Sequence, residues 1–137
     1  MLKKMTITTI FIFMFVHCMA PNIKEFVILK AETINPYESI WEAVCEVESK
    51  NDPTAYNEKE NAVGIAQIRP IRIRDYNERT GKNYSLDEMY DPVKSKEVFM
   101  YFAQKLQNPS RIIRKWNGSG PMTLIYMEKV LIEMNRK

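Results

Sequence analysis

The sequence predicts a single, mainly α-helical domain, and three observations carry that prediction. The chain has 137 residues, enough for one domain with one hydrophobic core. Its apolar fraction of 45% is ordinary for a globular protein, whereas its four glycines are few for a fold rich in tight turns. Most segments also carry apolar residues three and four positions apart, which is the helical period. Together these features argue against an all-β protein and against a disordered chain.

Residues 1–20 are organised like a secretory signal. Two lysines precede an apolar run at 5–16, and Cys18 and Ala20 supply small residues for cleavage. The run is too short for a transmembrane helix, which needs about 20 apolar residues. We therefore expect export to the periplasm or the cell exterior. A short membrane anchor, a later cleavage site near Ala31 and lipid attachment at Cys18 are the alternatives.

The charge and cysteine content of the remaining chain exclude several classes of function. Two of the 20 lysines and arginines lie in the expected signal, so 18 face the 17 acidic residues. This balance does not indicate a nucleic-acid-binding protein, which needs a concentrated basic patch. Cys45 is then the single cysteine and no histidine remains, so we expect no disulfide, no metal site and no cofactor. We expect a monomer.

The chain is expected to consist of a leader or arm at 21–35 and a folded domain at 36–137. The first helix is predicted over 35–50, with Asn35 as its N-cap and Pro36 at the first helical position. No internal repeat or low-complexity tract interrupts this organisation.

Helix-breaking and helix-capping residues predict one loop and four further helices. Residues 51–64 are polar and contain proline and glycine, which is typical of a long loop. The helices are predicted from Pro70 to Gly81, from Asp91, over 108–116 and from Pro121. Residues 71–76 alternate in polarity and could also form a strand. In the last helix, we expect the core-facing residues to be Leu124, Met127, Leu131 and Met134.

The first helix contains two glutamates, Glu46 and Glu48, that fall on opposite faces. At about 100° per residue, Glu48 lies in the middle of the apolar stripe that contains Trp41 and Val44. Glu46 lies on the opposite, solvated side. A partly desolvated carboxyl has a raised pKa and can act as a general acid. The alternative for Glu48 is a buried carboxyl that holds the following loop by hydrogen bonds.

A series of short elements then follows in a specific order. The elements are Glu48-Ser49, Asp52-Pro53-Thr54-Ala55-Tyr56-Asn57, Gly64-Ile65-Ala66-Gln67-Ile68 with Pro70, Trp116-Asn117-Gly118, and Tyr126 with Val130. Their order and spacing resemble the lytic transglycosylase and goose-type lysozyme family of peptidoglycan-cleaving enzymes. The resemblance covers roughly residues 36–131. Ala66 replaces the family's usual methionine, and the glycine-rich turn is looser than usual, which puts fine substrate contacts in doubt.

The resemblance implies a small lysozyme-like helical domain with a glycan-binding cleft and Glu48 as the catalytic residue. In such enzymes the glutamate protonates the glycosidic oxygen after N-acetylmuramic acid. It then acts as a base while the sugar's 6-hydroxyl attacks, which gives a 1,6-anhydro end. Most glycosidases use two carboxylates, but this route needs only one. Asp52, the nearest acid in sequence, is interpreted as a turn residue. Hydrolysis by a positioned water is the alternative.

The resemblance also implies substrate-binding roles for Ser49, Tyr56, Gly64, Ile65, Gln67, Asn117 and Tyr126. Several have structural alternatives. Ser49 can cap the helix end, and Gln67 can be a satisfied amide beneath the loop. Gly64 can simply form the turn. Tyr126 can point its hydroxyl at Glu48 or belong to the core. The arginines in 69–74 can meet anionic peptidoglycan or form a solvated face.

The expected partner is the glycan strand of peptidoglycan. A compact domain with a signal favours local opening of the wall for a secretion or conjugation apparatus, over wall remodelling or attack on another cell. Two other hypotheses remain at this point. One is a non-catalytic module that binds wall glycan or a secretion-machinery partner. The other is a small helical lipoprotein with chance motif matches.

Overall fold

The computed structural model describes residues 35–136, so the expected signal and all of the expected arm except Asn35 lie outside the described residues. The elements in chain order are α1 (Glu38–Ser49), β1 (Tyr56–Asn57), β2 (Ala62–Val63), α2 (Pro70–Thr80), a 3-10 helix (Asp87–Tyr90), α3 (Pro92–Leu106), α4 (Pro109–Asn117) and α5 (Met122–Met134). The mainly α class is confirmed. Among the described helices, none has both the length and the apolar character needed to cross a membrane.

Helix α1 begins later than the sequence predicts. Tyr37 is at the N-cap, and Asn35 instead forms a turn in which its side-chain oxygen accepts a hydrogen bond from the Tyr37 N–H at 3.0 Å. The prediction of Asn35 as N-cap is therefore wrong by two residues. At the other end, Lys50 adopts a left-handed conformation with φ of 59° and its N–H bonds to the carbonyls of Cys45 and Glu46. This cap stops the helix directly after Glu48-Ser49.

The loop predicted at 51–64 contains a two-stranded antiparallel hairpin that the sequence did not reveal. Tyr56 pairs with Val63 and Asn57 with Ala62. Strands of two residues are too short for alternation in polarity to be recognised. The chain then turns back so that Val63 also forms a bridge with Ile68. The hairpin and this turn form a compact loop against the end of α1.

The three middle helices match their predicted positions. Pro70 starts α2 and Gly81, with φ of 73°, ends it, so the strand alternative for 71–76 is wrong. The Asp91 side chain accepts a hydrogen bond from the Val93 N–H at 2.8 Å and caps α3. The Asn108 side chain caps α4 in the same way. A capping side chain before a proline thus predicts the starts of α3 and α4, whereas the same pattern at Asn35-Pro36 places the start of α1 too early.

The core lies between α1, α3, α4 and α5. Phe99 of α3 is at its centre, with its ring centroid 5.3 Å from that of Trp41 in α1 and 5.0 Å from that of Trp116 in α4. The buried residues of α1 are Ile40, Trp41, Ala43, Val44 and Cys45, which include Trp41 and Val44 of the predicted apolar stripe.

Helix α5 uses a different face from the predicted one. Its buried residues are Thr123, Tyr126 and Val130, whereas Leu124 and Leu131 are 50% and 37% exposed. The prediction for these two leucines is wrong. Apolar residues occur around most of this helix, so spacing alone allows more than one inward register. The face that packs inward is the one that brings the Tyr126 hydroxyl to α1.

A polar cluster connects α2 and the segment after it to α3. It consists of Tyr76, Lys82, Tyr84 and Glu97. The Tyr76 and Tyr84 hydroxyls donate to the Glu97 carboxylate at 2.7 and 2.8 Å, and the Lys82 ammonium also donates to it. The Glu97 side chain is 41% exposed. We refer to these four residues as the Glu97 cluster.

Candidate active site

Glu48 lies at the C-terminal end of α1, partly buried against α5. The Tyr126 hydroxyl donates a hydrogen bond to its Oε1 at 2.7 Å. Tyr126 is only 8% exposed, so this bond is made in a partly dehydrated environment. The contact between Tyr126 and Glu48 that the sequence suggested is confirmed. Glu46, on the outer side of the helix, instead lies 3.4 Å from the Lys50 ammonium.

Burial raises the pKa of Glu48 to about 7, and three neighbours modify that effect. The Tyr126 hydrogen bond and the positive charge of Arg69 lower the pKa because they stabilise the carboxylate. The negative charge of Glu60 raises it. Burial also raises the pKa of Tyr126, so its hydroxyl remains a donor at physiological pH. Near neutral pH, the protonated and the ionised forms of the Glu48 carboxyl are therefore both populated.

The Ser49 side chain forms hydrogen bonds that anchor the loop after α1. Its hydroxyl donates to the Ile65 carbonyl at 2.8 Å and accepts a hydrogen bond from the Asp52 N–H at 3.1 Å. The hydroxyl also lies 3.3 Å from the Cys45 carbonyl in the last turn of α1, so Ser49 meets the helix end, as its predicted structural alternative requires, and among the described residues its hydrogen-bond partners do not include Glu48. On the other side of the loop, the Trp116 indole N–H donates to the Ala66 carbonyl at 3.1 Å. These bonds hold the backbone around Ile65 between α1 and α4.

Gly64 and Gln67 are used mainly within this loop. Gly64 has φ of 77°, and a Cβ at this position would lie 2.1 Å from the Met89 carbonyl oxygen, so packing against the 3-10 helix alone requires glycine. The Gln67 amide nitrogen donates to the carbonyls of Gly64 at 3.0 Å and Ala55 at 3.3 Å. This matches the alternative of a satisfied amide beneath the loop. The predicted sugar-binding role of Gln67 would therefore fall to its amide oxygen.

Asn117 is connected to the candidate site by its backbone carbonyl, which accepts a hydrogen bond from Arg69. The Arg69 guanidinium donates to the Asn117 carbonyl at 3.0 Å and lies 3.9 Å from the Glu60 carboxylate. Arg69 thus links the end of α4, the hairpin and the electrostatic environment of Glu48. The Asn117 side chain is not involved in this link.

Tyr56 and Asp52 lie on the exposed side of the loop. The Tyr56 side chain is 54% exposed, and its hydroxyl donates to the Asn61 side chain at 3.2 Å across the hairpin. The Asp52 carboxylate accepts hydrogen bonds from the Thr54 N–H and hydroxyl at 2.8 and 2.7 Å, which lowers its pKa. Asp52 has the geometry of a turn residue, as interpreted from its sequence context.

Sequence reasoning missed Arg69 and Glu60 as electrostatic neighbours of Glu48. Each is separated from Glu48 by at least a loop, and no spacing rule connects them. The arginines of 69–74 were predicted to meet peptidoglycan or to form a solvated face, not to act on Glu48. The described residues contain no group of three or more histidine, cysteine or acidic side chains that could hold a metal ion.

The arrangement provides one carboxyl that can exchange a proton near neutral pH, a tyrosine that orients it, and a fixed loop beside it. Such a group can act first as a general acid and then as a general base. A family model described as the transglycosylase SLT domain matches residues 26–111, which is more than half of the chain. No curated protein and no solved structure matches the chain significantly.

Proposed function

Because the chain belongs to the transglycosylase SLT family of peptidoglycan-cleaving enzymes, we propose that it cuts the bond between N-acetylmuramic acid and N-acetylglucosamine, with Glu48 as the acid and then the base. The observation that carries this proposal is the half-buried carboxyl of Glu48, bonded to Tyr126 and with its pKa raised to about 7. The expected glycan-binding cleft would contain this carboxyl.

In the proposed reaction, the protonated Glu48 carboxyl gives its proton to the glycosidic oxygen as the bond from that oxygen to muramic C1 breaks. The carboxylate that remains then takes the proton of the sugar's 6-hydroxyl, whose oxygen bonds to C1 and closes the 1,6-anhydro ring. Glu48 ends protonated, ready for another cycle. Burial favours the acid form that starts the reaction, and Tyr126 favours the carboxylate that completes it.

The test is mass spectrometry of the soluble products released from purified peptidoglycan by the wild type and by Glu48→Gln. We expect 1,6-anhydro products from the wild type and a loss of rate of about 10²–10⁴-fold or more in the variant, which keeps the side-chain volume but cannot transfer the proton. Glu46→Gln is the matched control, since it changes the same residue type two positions earlier on the outer side of α1. It should keep the wild-type rate.

The same experiment separates the alternatives. Products with reducing ends would indicate hydrolysis, and Glu60→Gln would then test whether the neighbouring carboxylate positions the water. Undiminished release by Glu48→Gln would contradict the proposed role of Glu48. An absence of release by every protein, with wall binding intact, would favour the non-catalytic module. If the reaction is transglycosylation, the rate of product release by the wild type should fall as the pH rises through about 7, because the acid form of Glu48 is lost.

We further propose that residues 1–20 direct export, so that the enzyme meets peptidoglycan outside the cytoplasm. The lysines followed by an apolar run support this proposal. Fractionation of cells that express the full chain, followed by N-terminal sequencing of the protein, tests it. An intact N-terminus in the cytoplasmic fraction would contradict export. A role in local opening of the wall for a secretion or conjugation apparatus would follow only from an exported protein.

A further inference from the structure

Arg72 of α2 is a half-buried cation that forms no ion pair within residues 35–136. The nearest acid in sequence, Asp75, is paired with Arg79 at 2.5 Å. Burial, and then the positive charge of Arg69, lower the pKa of Arg72. An arginine nevertheless stays charged in proteins, so another group must compensate the charge of Arg72.

The C-terminal end of α4 supplies that compensation. The Arg72 Nη2 donates to the carbonyls of Lys115 at 2.9 Å and Trp116 at 3.0 Å. Arg69, three residues earlier, donates to the next carbonyl, that of Asn117. The last carbonyls of a helix lack partners within the helix and carry the negative end of its dipole. Two arginines from one helix thus bond to three successive carbonyls of another.

Arg72 also contacts the ring of Trp116. Its Cζ lies 4.6 Å from the centroid of that ring and 5.0 Å from the centroid of the Phe102 ring. A guanidinium over an aromatic ring is attracted by the electrons of its face. Arg72 therefore restrains both the backbone and the ring orientation of Trp116.

Trp116 is the residue through which α4 holds the loop beside Glu48. Its indole N–H donates to the Ala66 carbonyl at 3.1 Å, and the preceding carbonyl, that of Ile65, accepts from the Ser49 hydroxyl at 2.8 Å. The loop backbone is thus bonded to α4 on one side and to the residue after Glu48 on the other. The region that matches the family model ends at residue 111, so Trp116 lies outside it.

We propose that Arg72 is a positioning residue for the reaction, acting through Trp116 to set the place of the Ala66 backbone relative to Glu48. This inference rests on the proposed function, and Arg72 itself transfers no proton. A displacement of about 1 Å far from the chemistry can lower a catalytic rate by about 10²-fold. The alternative is that Arg72 only stabilises the packing of α2 on α4, which would leave the site of the folded protein unchanged.

The test compares four variants of the full chain as the cell produces it. Arg72→Lys keeps the charge but loses the planar fork that bonds two carbonyls and stacks on a ring. Arg79→Lys is the matched control, with the same change at an exposed position of the same helix. Trp116→Phe removes the indole donor and keeps an aromatic ring. The fourth variant combines Arg72→Lys with Trp116→Phe. Product release from peptidoglycan is measured at a temperature at which circular dichroism shows every variant folded.

We expect Arg72→Lys and Trp116→Phe each to slow release by about tenfold, and the double variant to be no slower than Trp116→Phe alone. Such non-additivity is expected when one residue acts through the other. Arg79→Lys should keep the wild-type rate. A wild-type rate in Arg72→Lys would overturn the proposal, as would effects that multiply in the double variant.

A second measurement requires neither catalysis nor a change at Trp116. The chain has two tryptophans, Trp41 and Trp116, so its NMR spectrum contains two indole N–H signals. In Arg72→Lys, hydrogen exchange at the Trp116 indole should become about tenfold faster, with Trp41 unchanged. Equal acceleration at both indoles would show a loss of global stability alone and would overturn the proposal. A wild type that releases nothing would contradict the proposed function, whereas the exchange would still decide whether Arg72 holds the contact between Trp116 and the loop.

Discussion

Glu48 and Glu97 both accept hydrogen bonds from tyrosine hydroxyls, yet their pKa values move in opposite directions. Burial raises the pKa of Glu48 to about 7 against the effect of Tyr126. The Lys82 ammonium, with Tyr76 and Tyr84, lowers the pKa of Glu97 to about 2. A tyrosine partner is therefore not what makes a carboxyl a proton donor in this protein.

The difference lies in hydration and in the nearest cation. Glu97 is exposed and directly bonded to an ammonium group, so its charged form is stabilised. Glu48 has lost much of its water, and its cationic neighbour Arg69 is engaged with the Asn117 carbonyl and with Glu60. The Glu97 cluster thus provides an internal control for Glu48. A glutamate bonded to tyrosine is part of a structural ion pair at one site and is a candidate acid at the other.

The largest expected contrast is in the pH dependence of stability. The pKa of Glu48 is raised from 4.5 to about 7 in the fold, so its contribution to stability is complete below pH 4.5 and is lost as the pH rises through 7. This change is on the order of 3 kcal/mol. The lowered pKa of Glu97 means that its contribution is lost only as the pH falls from 4.5 through about 2.

Urea denaturation at pH 5 and pH 8 measures this contrast. The wild type should be less stable at pH 8, Glu48→Gln should lose most of that decrease, and Glu97→Gln should retain it. Single-residue variants isolate the two glutamates from every other titrating group. A wild-type decrease that survives in Glu48→Gln would show that another group causes it.

A smaller effect is expected when the tyrosine of each site is removed. Tyr126→Phe deletes the donor that stabilises the Glu48 carboxylate, so the free energy of unfolding should fall by about 1–2 kcal/mol at pH 8 and by less at pH 5. The fall of activity with rising pH should also move to higher pH, because the Tyr126 bond lowers the pKa of Glu48. Tyr84→Phe, at the Glu97 cluster, is the matched control. An unshifted pH profile in Tyr126→Phe would mean that the bond does not set the acidity of Glu48.

The smallest effect is expected from the cation of the Glu97 cluster. Lys82→Gln removes the largest cause of the lowered pKa of Glu97, so that pKa should rise towards its usual value in an NMR titration of the carboxyl. Thermal stability should change little, because the pair is exposed to solvent. Peptidoglycan cleavage should not change. A large loss of Tm would show that the Glu97 cluster supports the packing of α2 on α3.

The comparison of helices shows which parts of the fold the sequence could predict. The apolar residues of α1 occupy one side, so its buried face and the position of Glu48 followed from the helical period. In α5, Ile125 and Ile132 are also exposed, so the apolar pattern does not define one side. Only contacts with α1 select the face that carries Tyr126. The starts of α3 and α4 were predictable because a capping side chain precedes a proline.

The candidate site was predictable only where chemistry follows from local position. The wheel placed Glu48 in a partly dehydrated setting, and the order of the motifs suggested Tyr126 as its neighbour. The use of the Gln67 amide within the loop was predictable only as an alternative to sugar binding, and the left-handed conformation of this residue, with φ of 49°, has no signature in the sequence. The effects of Arg69 and Glu60 depend on how the loop folds back. The catalytic and substrate-binding roles remain predictions.

The buried thiol of Cys45, one helical turn before Glu48, has a consequence for how local opening can be observed. Cys45 is 1% exposed, and burial and the nearby Glu48 raise its pKa to about 12. The reactive thiolate is therefore rare at neutral pH, and a labelling reagent cannot reach the sulfur while α1 is packed. The labelling rate at this residue would report how often α1 separates from its neighbours. That separation would also admit water to Glu48, so the labelling rate of Cys45 would measure transient opening at the candidate active site.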